Sequence, residues 1–277
     1  MARFAGIILM LMMMICPAES EMLRVISLYP GHSDNIFAMG GNLVALSEND
    51  DDDLLPELPR VSLRSGAERI LALRPDVVIT RPFAERINPN MYDVLRRSGV
   101  KVISIDPPKW DNFPAYLVTL AESLNLNPIN GISRLNSALD GLGSQSVKTP
   151  RVFLEATSRE LHTCAPDSWP ARLIALTGGV NVADDAKPLR EGSTIAPYGV
   201  ERLLKCAESI DVYIIQTGAM NPSTIDTFKA REWSSALRNA RVYEIPEKYI
   251  SRPSLLGLEK GIKILHKILT EDSKNAR

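Results

Sequence analysis

Histidine and cysteine are scarce in this chain, with three of each in 277 residues. A bare metal ion held directly by protein needs several His, Cys and carboxylate ligands converging, and this composition does not supply them. Charge of one sign is also missing. The 32 basic and 33 acidic residues leave a net charge of −1, which gives no electrostatic case for binding nucleic acid. No G-x-S-x-G elbow, Walker loop or zincin helix occurs, and no enzyme is expected. The acidic run Asn49–Asp53 has consecutive carboxylates without the spacing of an EF-hand, and reads as a solvated loop. Beyond residue 20, no stretch is long and apolar enough to cross a bilayer.

What is present begins with a targeting signal. Arg3 precedes the apolar run Phe4–Ile15, and Ala18-Glu19-Ser20 offers small residues to a signal peptidase. Residues 1–20 read as a secretory signal cleaved after Ser20, so the mature chain is expected to be exported. Lipid attachment at Cys16 fits poorly, because Met14-Ile15 lacks the small residue expected beside a lipidated cysteine. Cys164 follows a strand and Cys206 ends a helix, at opposite ends of a sheet, so two unpaired thiols are expected despite the oxidising compartment.

The organising feature is a repeat. Ala67–Thr80 (AERILALRPDVVIT) reads as a helix stopped by Pro75, then a β-branched strand suited to burial on both faces of a parallel sheet. Val200–Gln216 (VERLLKCAESIDVYIIQ) repeats the pattern in the other half. Two similar α/β lobes follow: an N-terminal lobe over 21–110 and a C-terminal lobe over 148–277. Between them, residues 111–147 hold no strand candidate: Asn112–Leu124 reads as helical, Asn127-Pro128 interrupts, and Ile129–Leu142 resumes, which is long enough to join the lobes as one strut. Ser33 and Ser168 stand where helix N-caps are expected. The last helix carries Leu255, Leu258, Ile262, Leu265 and Leu269 as a packed stripe, beside which His266 is structural.

In doubly wound sheets, ligands meet the loops after the strand C-termini. That rule selects Tyr29, His32, Arg64 and Arg81 from the first lobe. From the second it selects Ser158, His162, Arg190, Gln216 and the loop Lys248–Arg252, including Tyr249. Several arginines on loops facing one cleft favour an anionic or carboxylate-rich ligand.

The ordered segments RVISLYPGHSDNIFAMGG, AERILALRPDVVIT, LRRSGVKVISID, RVFLEATSRELHTCAPDSWPARLIALTGGVNVA, VERLLKCAESIDVYIIQ and RVYEIP, with the closing helix, cover nearly all of the mature chain. In this order they resemble the iron-chelate and cobalamin periplasmic binding proteins that serve ABC importers. The resemblance implies two α/β lobes joined by one rigid helix, with the ligand in the cleft between them. It also implies a periplasmic monomer without a cofactor, docking onto a permease dimer through an acidic residue on each lobe; Glu68 and Glu201 match those positions. A ferric siderophore or haem is the expected ligand and cobalamin the alternative. The cobalamin-binding members have a tryptophan near the position of Arg64, while Trp110 and Trp169 lie elsewhere in the order. His32 and His162 follow the first strand of each lobe. They are either axial ligands to a chelated metal or ordinary loop histidines.

Overall fold

A computed structural model describes residues 22–142, 149–188 and 190–270. The expected signal segment, with Cys16, lies outside the described residues. So does the end of the connecting segment, 143–148.

The first sheet comprises β1 (Val25–Ser27), β2 (Leu43–Ser47), β3 (Arg60–Val61), β4 (Val77–Thr80) and β5 (Lys101–Ser104). Its order is β3-β2-β1-β4-β5, and every pairing is parallel. Helices α1 (Pro30–Ala38), α2 (Ala67–Leu71), α3 (Pro82–Ile87) and α4 (Pro89–Arg97) make the connections. All four residues of β4 are buried, as its unbroken apolar run requires.

The connecting segment is α5 (Phe113–Ser123) and α6 (Pro128–Asp140). This corrects the expectation of one continuous strut. Asn125 takes a positive φ of 56°, and the Asn127 side chain caps a fresh start at Pro128 by accepting the Ile129 N–H at 3.0 Å. The chain therefore turns back, and α6 packs on α5, α1 and the C-terminal helix.

The second sheet holds β6 (Arg151–Thr157), β7 (His162–Cys164), β8 (Val180–Asn181), β9 (Ile195–Pro197), β10 (Val212–Thr217) and β11 (Arg241–Pro246). Its order is β11-β10-β6-β7-β9, with β8 also beside β6. Strands β6, β8, β10 and β11 run parallel, and β7 and β9 are antiparallel additions at one edge. Helices α7 (Trp169–Leu176), α8 (Val200–Cys206), α9 (Ile225–Lys229), α10 (Glu247–Ile250) and α11 (Leu255–Thr270) complete the half. The repeated units take equivalent places: β4 lies beside β1 with Val25 opposite Val77, and β10 beside β6 with Val152 opposite Val212.

Each half has a private hydrophobic cluster. A third cluster crosses between them, from Val25 and Ile36 through Phe113 and Leu117 to Leu154, Ile174 and Leu265. The α11 stripe Leu255, Leu258, Ile262, Leu265 and Leu269 is buried in it. Gly261 allows α11 to approach α10, since a Cβ there would fall 2.0 Å from the Tyr249 carbonyl oxygen.

Further local readings change. Helix α1 begins at Pro30, so Ser33 lies inside it and bonds Ser27 and Asp50 instead of capping. The acidic loop is not simply solvated. Asp51 and Asp53 reach Lys248 across the halves, at 3.6 and 3.2 Å. Among the described residues, no group of His, Cys, Asp or Glu could hold a metal ion, and no helix is long and apolar enough to cross a membrane. Cys164 and Cys206 are free.

Candidate functional site

Loops after the strand C-termini of both sheets face each other across a cleft made of two adjoining cavities, 710 and 400 Å³ in volume. Tyr29, Arg81, Met220, Glu247 and Ser251 border both. The larger is walled by Leu63, Phe83 and Ala219, the smaller by Pro107, Trp110 and Trp169.

Tyr29 and Arg81 form the centre. The Arg81 guanidinium stacks 4.6 Å above the Tyr29 ring, in cation–π geometry. Burial pushes the Tyr29 phenol above its ordinary pKa, while Arg81 and Arg252 pull the other way. Gln216 lines the smaller cavity and accepts a hydrogen bond from the Ser251 hydroxyl.

Other expected residues are placed differently. Arg252 borders the larger cavity, but its guanidinium is bound by Asp34 at 3.3 Å and Asp51 at 2.7 Å. Its charge is thereby matched by carboxylates of the first half. Arg64 and Arg190 are exposed and line neither cavity. The expected convergence of arginines reduces to Arg81, because rotamer and partner decide where a loop arginine points. Tyr249 leaves the cleft and packs against Lys248 and Lys260, 5.3 and 5.2 Å from its ring centre. Ser158 is exposed and donates its backbone N–H to Asn221 Oδ1 at 3.1 Å, outside both cavities.

Neither histidine borders the cleft. His32 is fully buried, with Nδ1 2.7 Å from the Tyr116 hydroxyl and Nε2 2.9 Å from the Ile105 carbonyl. The carbonyl can only accept, so Nε2 carries the proton and Nδ1 accepts from Tyr116. Burial lowers the His32 pKa to about 4. Its neutral ring is a structural bridge with neither nitrogen left for a metal. His162 donates Nδ1–H to the Arg159 carbonyl at 2.7 Å, away from the cleft. Axial ligation by this pair is therefore not supported by the geometry.

Phe83 and Met220, 55% and 57% exposed, present apolar surface at the rim. Trp110 and Trp169 stand 4.6 Å apart beside the smaller cavity. Sequence reasoning passed over all four, although Met220 and Trp110 lie on loops after β10 and β5 that the strand-end rule covers. The Met220 loop is anchored from beneath. Buried Glu155 on β6 accepts from the Tyr213 hydroxyl at 2.6 Å, from Asn221 Nδ2 at 3.2 Å and from both Arg231 terminal nitrogens. Asn221 in turn closes the turn with Gly218 through paired backbone bonds of 3.0 and 3.1 Å.

Glu68 and Glu201 are exposed in the first turns of α2 and α8, outside the cleft.

No protein-family model matches the chain. It is similar to the vitamin B12-binding protein of Vibrio parahaemolyticus, 26% identical over 264 residues, covering 89% of this chain and 90% of that protein. Among solved structures, it shares its fold with the periplasmic haem-binding protein of Vibrio cholerae at a TM-score of 0.72 and 18% identity, over 90% of this chain and 99% of that one. The periplasmic vitamin B12-binding protein of Vibrio cholerae matches with a TM-score of 0.59 and 24% identity, over 91% of this chain and 99% of that one. Over most of its length the chain is thus similar to periplasmic binding proteins for haem and vitamin B12, and it shares their two-lobe fold.

Proposed function

We propose that this chain captures a bulky metal-bearing macrocycle in the periplasm, a corrinoid in the first instance, and delivers it to an ABC permease without chemical turnover. The observation that carries the reading is the balance of the cleft. Arg81, Lys109, Lys248 and Arg252 stand against Asp51, Asp106, Asp167 and Glu247, among aromatic and apolar walls. Such a cleft suits a large ligand of little net charge. The vitamin B12-binding relative supports the same choice.

A thermal-shift series with cyanocobalamin, haemin and ferric siderophores tests it. A ligand at a hundredfold excess over its Kd stabilises the folded state by about 2.7 kcal/mol. A shift with cyanocobalamin is expected; no shift with any of these probes would end the reading. The ligand is expected to be recovered unchanged.

Haem is the second reading, favoured by Tyr29. A phenol oxygen is an established protein ligand for haem iron, and this one borders both cavities beneath a cation. Under that reading Tyr29→Phe alters the Soret band of bound haemin.

For delivery, Glu68 and Glu201 are the docking contacts, one on each repeated unit. Charge reversal of both, Glu68→Lys with Glu201→Lys, is expected to abolish transport and leave ligand affinity unchanged. Transport that survives would remove them from that role. The functional unit is a monomer of two lobes, 21–110 and 148–277, joined through 111–147 after removal of a signal over 1–20.

A further inference from the structure

The smaller cavity ends against the N-terminus of the eight-residue helix α7. Ser168 holds the N-cap position, where a serine side chain ordinarily accepts a backbone N–H of the first turn. Here it makes no cap bond, and its hydroxyl has no partner of hydrogen-bonding geometry although the residue is only 5% exposed. The Cys164 thiol beside it offers a weak sulfur contact at most. Trp169, 4% exposed, leaves its indole Nε1–H without an acceptor. Arg81, on the facing half, leaves Nε–H unpaired in the same way.

All three residues line this one cavity. Buried polar groups are almost always paired in folded proteins, so unpartnered donors around one cavity, Ser168 and Trp169 on one side and Arg81 on the other, mark a place for an acceptor from outside. The positive end of α7 favours an acceptor oxygen in the same place. Its charge is constrained by the other lining groups. Asp106, Asp167 and Glu247 outnumber Arg81 and Lys109, and Lys109 lies 3.7 Å from Asp167. A ligand carboxylate would meet net repulsion; a neutral carbonyl would not.

We propose that this end of the smaller cavity is a hydrogen-bonding subsite for a neutral amide-type carbonyl oxygen on the periphery of the bound macrocycle, served by Trp169 Nε1 and the Ser168 hydroxyl from one side and by Arg81 from the other. The subsite rests on the function proposed above and deepens it. It discriminates macrocycles fringed with amides from those fringed with carboxylates.

Calorimetric titration of the mature chain and its Ser168→Ala, Ser168→Thr and Trp169→Phe variants with cyanocobalamin and haemin tests it, once melting of each ligand-free variant has shown a folded protein. Ser168→Ala and Trp169→Phe are each expected to weaken cyanocobalamin binding by about three- to tenfold, the worth of one net hydrogen bond, and to leave haemin within about twofold of wild type. Ser168→Thr keeps the hydroxyl and is expected to keep the affinity, which a packing role alone would not predict. If Trp169→Phe does not fold, the two Ser168 variants decide. Unchanged cyanocobalamin affinity in the variants overturns the subsite and leaves the transport reading standing. A loss confined to haemin, or wild-type binding of haemin alone, overturns the amide assignment. Wild-type protein that binds neither probe overturns the macrocycle reading and the subsite together.

Discussion

Asp76 accepts the backbone N–H of Arg24 at 2.8 Å, and the Arg24 side chain returns to the carbonyls of Arg74 and Leu73 at 2.9 Å each. The second half repeats the arrangement: Asp211 accepts the Arg151 N–H at 2.7 Å, and Arg151 Nε donates to the Ser209 carbonyl at 3.1 Å. Each aspartate ties the opening of a repeated strand to the first strand of its own sheet. Asp76→Ala and Asp211→Ala are each expected to cost about 1 kcal/mol, because a charged acceptor is lost at a partly solvated site. The two losses should add in the double variant, since the sites share no partner. Urea unfolding of the singles and the double measures this; clear non-additivity would show that the two ends are coupled.

Glu155 carries the largest expected single-site cost. Burial alone would raise its pKa, but Arg231, Tyr213 and Asn221 outweigh that and hold it below the usual value of 4.5. A depressed folded-state pKa means stability that is present above the unfolded value and lost as pH falls through the folded one. Glu155→Gln should therefore flatten part of the acid limb of stability against pH, below about pH 4.5. Glu155→Ala, which strands Arg231, should cost about 3 kcal/mol. Equilibrium unfolding at pH 3 to 7 reads both.

Asp50 behaves in the opposite sense. Burial, with Asp34 adding to it, lifts its pKa from 3.8 to about 7 against hydrogen bonds from Ser33 and Ser47 and the charge of Arg252. Its Oδ1 has no partner. The folded state thus keeps a proton that the unfolded chain releases, and the associated stability is full below about pH 4 and is lost as pH rises through about 7. Compared with Asp50→Asn, the wild type should lose of the order of 3 kcal/mol between pH 4 and pH 8. Parallel stability curves for the two proteins would show that Asp50 does not titrate in this window.

Arg134 on α6 makes a paired contact with Glu259 on α11 at 2.8 Å through two nitrogens and reaches the Ala38 carbonyl of α1 at 3.2 Å. With side-chain exposures of 38% and 29%, solvent screens much of the attraction. A double-mutant cycle of Arg134→Ala and Glu259→Ala should give a coupling of about 0.5–1 kcal/mol, shrinking at high salt. Coupling that is insensitive to salt would point to packing of the stems.

The repeated unit was legible because a strand buried on both faces needs an unbroken β-branched run, and VVIT and VYIIQ supply it. The antiparallel strands HTC and IAP were not legible: three residues carry no period. Pro30 was the overlooked signal for α1, since its preset φ suits the first helical position and displaces Ser33 inward. At the cleft, the strand-end rule found Tyr29, Arg81 and Gln216, whose backbone positions fix where they go. It also selected Arg252, but not the pairing of that charge with Asp34, 218 residues earlier. Nor did it show that the NDDDD run sends Asp50 inward, where Ser33 and Ser47 hold it.

Among the described residues, one apolar cluster runs from Val25 to Leu265 and packs the two halves against each other. The receiving hollow is thus moulded in advance, and encounter needs no subsequent clamping. Observed association rates should climb in proportion to ligand concentration, with no plateau marking a slow rearrangement. Under the proposed docking at Glu68 and Glu201, letting go then becomes a task for the permease.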